Sequence, residues 1–126
     1  MIRDDLKYTK EHEWVRVEGD TAVVGITDFA QGELGDIVFV ELPKIGLKVQ
    51  QMKAFGTIEA VKAISDIFSP ISGEVTDINR ELENNAAVIN KDPYGAGWIM
   101  KLKMSNKSEI NSLLSAADYG ALIEKK

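Results

Sequence analysis

The chain has 126 residues, of which 44% are hydrophobic and 28% are charged, and its formal net charge is −5. These values are ordinary for a globular protein and predict a single domain over residues 1–126. The acidic balance argues against nucleic-acid binding, which needs a basic face, and no apolar run approaches the ~20 residues that cross a bilayer.

Short candidate strands follow one another along the chain, separated by turns rich in Gly, Pro and Asp. The last strand alternates, so Met100 and Leu102 are predicted to be buried while Ile99 and Lys101 face solvent. The predicted strands are residues 13–17, 21–26, 37–42, 48–49, 55–60, 63–68, 73–78 and 98–104.

Helices are few and short. Thr27 or Asp28 can cap a helix that Gly35 ends, and the spacing of Ile110, Leu113 and Leu114 predicts a C-terminal helix that starts at Ser105 or Ser108. A single turn over residues 79–83 and a second C-terminal helix over 115–123 are also expected. Together the elements predict a mostly β sandwich or flattened barrel with a C-terminal helix packed outside it.

The chemistry available to the side chains is limited. The sequence has no cysteine, which excludes disulfides, Cys-ligated zinc and a dithiol of its own. Its one histidine is His12, and the sequence has no nucleophile-elbow motif with which that histidine could form a catalytic pair. We interpret His12 as structural, and acidic pairs such as Asp4–Asp5 as solvated surface. An independent enzyme is therefore not predicted, and any sulfur redox chemistry has to come from an attached group.

The most informative residue is Lys62. It lies in the turn between the strands predicted at 55–60 and 63–68, where only Val61 and Lys62 remain to make the reversal. Two-residue hairpins favour Asn-Gly or Gly-X because their usual turns need positive φ, and Val is a poor choice there. A turn residue that conflicts with local preference, beside a Lys at the tip, is expected where a functional constraint overrides folding preference. From the hairpin alone, a solvated surface Lys in a longer loop is the better interpretation, and only the wider sequence reverses that order.

Several blocks of the sequence resemble the glycine cleavage system H-protein family, a family of lipoyl carriers. The segment Glu59-Ala60-Val61-Lys62-Ala63 resembles its lipoyl-attachment hairpin, and four further blocks match in order between Tyr8 and Tyr119. Those blocks are Tyr8 to Val15, Gly25 to Asp36, Val40 to Gly46, and Asn90 to Trp98.

The resemblance implies the barrel-sandwich hybrid fold of lipoyl and biotinyl carriers, with lipoate bound covalently to Lys62. It implies that Glu59 and Ala63 are read at the tip by the lipoate-attaching enzyme, and that Glu13 and Asp66 line a pocket for the arm. One departure is Glu33, where some members of the family have a histidine.

The resemblance also implies the partners. A pyridoxal-phosphate glycine decarboxylase would load an aminomethyl group on the arm, an aminomethyltransferase would remove it, and dihydrolipoyl dehydrogenase would reoxidise the dithiol. The N-terminal sequence Met1 to Asp5 is unlike a signal or transit peptide, so a cytoplasmic location is expected.

Four alternatives stay open from the sequence. A biotin carrier usually has Met on both sides of the target Lys, where this chain has Val61 and Ala63. A lipoyl domain of a 2-oxoacid dehydrogenase usually has an Asp-Lys-Ala tip, which is absent. The other two alternatives are an H-like protein that relays lipoate to other complexes and an unmodified binding module.

Overall fold

Two antiparallel sheets build the computed structural model, which describes residues 2–124. The larger sheet has the strand order β1-β2-β3-β9-β8-β5, and the smaller has the order β4-β6-β7. The strands are β1 (Lys7–Tyr8), β2 (Glu13–Glu18), β3 (Thr21–Ile26), β4 (Ile37–Glu41), β5 (Lys48–Val49), β6 (Ala54–Ala60), β7 (Ile64–Phe68), β8 (Gly73–Ile78) and β9 (Met100–Met104). This mostly β architecture confirms the predicted fold class.

Within residues 2–124 the strands are accompanied by three α-helices and two 3₁₀ segments. The helices are α1 (Asp28–Leu34), α2 (Val88–Lys91) and α3 (Ala116–Glu124), and the 3₁₀ segments are Arg80–Glu83 and Lys107–Ser112. The predicted start of α1 is confirmed, because the Thr27 hydroxyl accepts a hydrogen bond from the Ala30 amide at 3.1 Å. Its predicted end is confirmed as well, at Gly35 with φ 80°.

The main core lies between the sheets, and both contribute to it. Val15 and Val24 come from the larger sheet, and Val40, Ile58 and Ile67 come from the smaller, all at most 3% exposed. The hairpin of β6 and β7 is therefore fixed by side chains packed beneath it, and its tip extends beyond that packing.

A second apolar cluster covers the opposite face of the larger sheet. Trp14 and Val23 alternate with the core residues of β2 and β3 and pack with Tyr8, Tyr94 and Tyr119. The β2–β3 pair is therefore buried on both faces. Gly25 is opposite Trp14 in the register, and a Cβ on it would be 2.6 Å from the indole ring, so only glycine leaves room for this packing.

Two sequence predictions near the C-terminus were wrong. The α-helix expected from Ser105 or Ser108 is instead the short 3₁₀ segment, capped by Asn106. It ends because Leu113 is extended and Leu114 pairs its backbone with Tyr8. Ile99, predicted to face solvent, is completely buried and precedes β9, with its amide donating to the Val24 carbonyl at 2.8 Å.

Candidate functional site

Lys62 lies at the tip of the β6–β7 hairpin, as predicted. The strands pair in antiparallel register from Ala54↔Phe68 to Glu59↔Ile64, and the Ala60 amide donates to the Ala63 carbonyl at 2.7 Å across the turn. Val61 and Lys62 are the two residues left at the apex, and both are exposed. Lys62 is therefore presented on a turn whose base is set by sheet pairing.

The turn avoids the conflict that the sequence suggested. Neither Val61 nor Lys62 has a positive φ. The hairpin therefore does not use the primed turns that require Gly or Asn, and Val is compatible with its backbone. The Val61 amide instead donates a 3.0 Å hydrogen bond to the carbonyl of Asp36, which precedes β4. A second element of the fold thus holds the apex.

Asn90, in α2, fixes the segment that holds the apex. Its side-chain oxygen accepts from the Ile37 amide at 3.0 Å, and its amide nitrogen donates to the Gly35 carbonyl at 2.8 Å and to the Gln31 side chain at 2.9 Å. Asn90 therefore binds the residues on both sides of Asp36. The Asp36 carbonyl is held in place for the Val61 amide by a side chain distant in sequence.

Gly35 also lies against the Lys62 side chain. A Cβ built on Gly35 would be 3.3 Å from Cε of Lys62, and the φ of 80° is one that residues with a side chain rarely adopt. Glycine therefore lets the loop before β4 approach the lysine stem closely. Within residues 2–124 no hydrogen bond or ion pair involves the Lys62 ammonium, so the nitrogen is available to a partner.

The residues predicted to be read at the tip lie beside Lys62. Glu59 is exposed near the end of β6, and Ala63 is exposed immediately after the lysine. Glu59 lies between Phe39 on β4 and Ile64 on β7 in the sheet register. The two residues are thus brought to the same end of the small sheet as Lys62.

Glu13, predicted to line an arm pocket, is a buried carboxylate at the start of β2 with 2% of its surface exposed. The Thr9 hydroxyl donates to one oxygen at 2.5 Å, and the Phe68 amide donates to the other at 3.2 Å. Burial nevertheless raises the pKa of Glu13 to about 7. No cation of residues 2–124 forms an ion pair with it.

Asp66 is exposed in the middle of β7, opposite Thr57. It borders an open groove of about 400 Å³ that also includes Glu41, Leu42 and Phe55. Glu13 is not among the residues that line this groove. Asp66 lies in β7, and the Glu13 carboxylate contacts the backbone amide of Phe68, two residues further along the same strand. The two carboxylates are therefore near the same strand, but they do not line one groove.

Other types of site find no support in the described part of the chain. Residues 2–124 contain no cluster of His, Asp and Glu that could hold a metal ion. No helix in the same range is long and apolar enough to cross a membrane. His12 is held in a structural contact, with its Nδ1 2.8 Å from the Tyr119 hydroxyl.

Two packed β-sheets with an exposed lysine at the tip of a hairpin are typical of the class of proteins that carry a covalently attached group. Comparisons with known proteins narrow this class. Residues 6–126 match the family model described as Glycine cleavage H-protein.

Similar proteins agree with this match along nearly the whole chain. The glycine cleavage system H protein of Chlorobaculum parvum is 57% identical over 97% of both chains, and that of Symbiobacterium thermophilum is 54% identical over 96% of this chain and 94% of the relative. The crystal structure of the H protein from Mycobacterium marinum superposes with a TM-score of 0.88 at 36% identity, covering 95% of this chain and 97% of that one. The chain therefore belongs to the glycine cleavage H-protein family, and it is the carrier component of that system.

The sequence did not identify the residues that hold the apex of the hairpin. Asp36 and Asn90 both fall within blocks that resemble the family, but Asp36 acts through its backbone carbonyl, which leaves no trace in residue type. Asn90 carries a weak signal, since a side-chain amide that follows the buried Val88 and Ile89 directly needs hydrogen-bond partners.

The buried Glu13 predicts a pH-dependent stability. Between pH 4.5 and about 7 the folded protein keeps the Glu13 proton while the unfolded chain loses it, so the free energy of unfolding falls as pH rises. The full loss is on the order of 3 kcal/mol. Glu13→Gln keeps the shape and removes the titration, so at pH 8 it should be more stable than wild type, with a smaller gain at pH 5. Urea unfolding at both pH values measures this difference.

Glu74, exposed on β8, provides the control. Glu74→Gln should change the free energy of unfolding little at either pH. A Glu13→Gln gain that is the same at both pH values would show that the Glu13 carboxylate does not titrate between them.

The hydrogen bonds by which Asn90 holds the segment around Asp36 predict that substitution of Asn90 has a local effect. Asn90→Asp keeps the oxygen that binds the Ile37 amide but loses both donors, so the Asp36 carbonyl should be held less firmly. Hydrogen exchange of the Val61 amide should become about tenfold faster, as expected for loss of ~1.4 kcal/mol of local stability. The Val24 amide, in β3, should change much less, which separates a local loosening from general destabilisation. Asn85→Asp, at an exposed position, is the control, and equal acceleration at Val61 and Val24 would contradict a specific brace.

Proposed function

We propose that the carrier works through lipoate bound in amide linkage to Lys62. The observation that carries this proposal is the presentation of Lys62: an exposed side chain on a tip held by pairing from β6 to β7 and by the Asp36 carbonyl. An amide-linked arm fits there, because the ammonium has no partner to give up within residues 2–124 and both apex residues, Val61 and Lys62, are exposed.

The attachment step needs little from the chain itself. The neutral Lys62 amine attacks the carbonyl carbon of a lipoyl adenylate, the amide C–N bond forms, the acyl–phosphate bond breaks, AMP leaves and the nitrogen loses a proton to a base. Once bound, the group supplies the reversible disulfide chemistry that a chain without cysteine lacks. Glu59 and Ala63 flank the reacting amine and are proposed to be read by the attaching enzyme.

The chain is proposed to be a substrate of its partners and not a catalyst. A pyridoxal-phosphate glycine decarboxylase, an aminomethyltransferase and dihydrolipoyl dehydrogenase would act on the arm in turn. What supports this division is the match to the Glycine cleavage H-protein family, which is a family of carrier proteins.

Glu13 and Asp66 are proposed to protect the aminomethyl cargo. Glu13 is a buried carboxylate without a cationic partner in the described chain, and burial opposes its ionisation. An ammonium placed beside it would pair with the ionised form and become shielded from water. Asp66, exposed nearby on β7, would add a second negative charge along the route from Lys62.

The attachment site is tested by changing lysines one at a time. Lys62→Arg keeps the charge and the exposure but removes the amine, so the intact mass after treatment with lipoate–protein ligase, ATP and lipoate should not increase. Lys44→Arg, also exposed, should gain one lipoyl group like wild type. Peptide mapping identifies the modified residue, and lipoylation of Lys62→Arg would refute the assignment.

The protective role of the carboxylates is tested on the loaded protein. Glu13→Gln should let the cargo decompose about tenfold faster in the absence of the partner enzymes, because a charge-assisted hydrogen bond contributes ~1.5–3 kcal/mol. Asp66→Asn should have a smaller effect in the same direction, and Glu74→Gln, exposed on β8, should have none. The decay is followed by mass spectrometry at pH 8. Since Glu13→Gln is expected to stabilise the fold at that pH, faster decay could not be attributed to unfolding, and an unchanged rate would exclude the pocket role.

A further inference from the structure

The outer face of the small sheet carries an apolar surface beside Lys62. Phe39, Glu59 and Ile64 are directly paired neighbours across β4, β6 and β7, so their side chains lie on one face of the sheet. Phe39 is 50% exposed and Ile64 is 69% exposed, and Val61 at the apex is 75% exposed. We call Phe39, Glu59, Val61 and Ile64 the tip face.

Exposed apolar side chains are concentrated here. Eight large hydrophobic residues of the described chain are exposed, and four of them, Val38, Phe39, Val61 and Ile64, lie at this end of the small sheet. β-branched and aromatic residues favour strand pairing, but strand pairing does not explain why the rest of the fold leaves these side chains exposed to solvent. Exposed apolar side chains that are grouped at one site mark an interaction surface, whereas scattered single ones need no explanation.

The tip face also has a charge pattern. Glu59 lies between two apolar side chains, and the next row along the sheet places Glu41 and Asp66 on either side of Thr57. No ion pair within residues 2–124 neutralises any of these carboxylates. A partner that covers the tip face therefore has to offer apolar contacts on both sides of a cationic group.

We propose that the tip face is the docking surface for the enzyme that attaches lipoate, and that Phe39 and Ile64 are its apolar anchors. The proposal rests on Lys62 being the attachment site. The occupant follows from reach: before modification, the amine extends only the length of a lysine side chain from the turn. The attaching enzyme must therefore bring its active site against the apex and cover the neighbouring side chains. Enzymes that act at the far end of the completed arm need not approach so closely.

The surface has a consequence for recognition. Phe39 belongs to β4, which is outside the hairpin that carries Lys62. An enzyme that binds Phe39 together with Ile64 reads two strands joined only through β6, and therefore reads the folded sheet. The charge pattern specifies an Arg or Lys opposite Glu59, so docking should weaken as ionic strength rises.

The experiment uses the full-length apo protein with purified lipoate–protein ligase, ATP and lipoate. Phe39→Thr and Ile64→Thr keep β-forming residues in the strands while removing the anchors, and Ile45→Thr is the matched control, since Ile45 is 50% exposed but lies outside the tip face. Each anchor variant should raise KM for the apo protein about tenfold with kcat within about twofold, the pattern of lost uniform binding. Ile45→Thr should leave both constants unchanged.

A salt series tests the charge. Glu59→Gln should raise KM at low salt and should reduce the dependence of kcat/KM on salt, whereas Glu74→Gln, exposed on β8, should keep the wild-type dependence. Circular dichroism and urea unfolding establish that each variant is folded before its kinetics are compared.

The outcomes separate the two proposals. If wild type is not lipoylated at Lys62, the proposed function fails and the tip face has no role in attachment. If wild type is lipoylated and both anchor variants match Ile45→Thr in kcat/KM, attachment at Lys62 stands and the docking surface is refuted. Sedimentation of wild type and the anchor variants tests whether a second copy of the chain occupies the tip face instead. A dimer that is lost in the variants, with unchanged ligase kinetics, would also overturn the inference.

Discussion

The hydrogen bond from the Val61 amide to the Asp36 carbonyl is the contact on which the presentation of Lys62 depends. A hairpin of two strands is at best marginally stable by itself, and its tip is the part least restrained by packing. Here β4 pairs along one side of β6, and the residue just before β4 reaches the apex itself. Two backbone hydrogen bonds therefore fix the apex, Ala60 to Ala63 and Val61 to Asp36, while the Lys62 side chain stays exposed.

This arrangement divides the work between the two sheets. The larger sheet is buried on both faces at β2 and β3, where Trp14 and Val15 point to opposite clusters. It contributes side chains to both apolar clusters. The small sheet is buried on its inner face only, which leaves the outer face and the tip for recognition. Glu13 connects the two, because it lies in β2 and accepts a hydrogen bond from the Phe68 amide in β7.

Much of this fold can be read from the sequence, and the failures have identifiable causes. The strands and the Lys62 hairpin follow from alternation, turn residues and short spacing, which are local signals. Ser108 and Ile110 satisfied the local rules for an α-helix, but Leu114 pairs with Tyr8 more than a hundred residues away in the chain, and that pairing requires an extended backbone. Ile99 was misplaced because β9 begins only at Met100: alternation holds from Met100 to Met104, but it does not extend back to Ile99, which is buried before the strand starts.

In the site, the sequence identified residues that act through their side chains and missed one that acts through its backbone. Lys62, Glu59 and Glu13 could be named from the sequence because their side chains carry the chemistry or match the family. Asp36 could not be assigned a role, because a backbone carbonyl is present at every residue and only the fold gives it a partner. Asn90 required knowledge that α2 lies against the loop before β4. Burial of Glu13 is equally invisible in a polar stretch such as Lys10 to Glu13.

A single exposed tip also limits throughput. Every enzyme that acts on Lys62 or on a group attached to it uses the same side chain, so two of them cannot act on it at the same time. Each round of turnover therefore includes a dissociation step, and a complex that is too long-lived would slow the pathway. A small contact area around the apex, with charges that accelerate encounter, suits a carrier whose complexes must separate quickly.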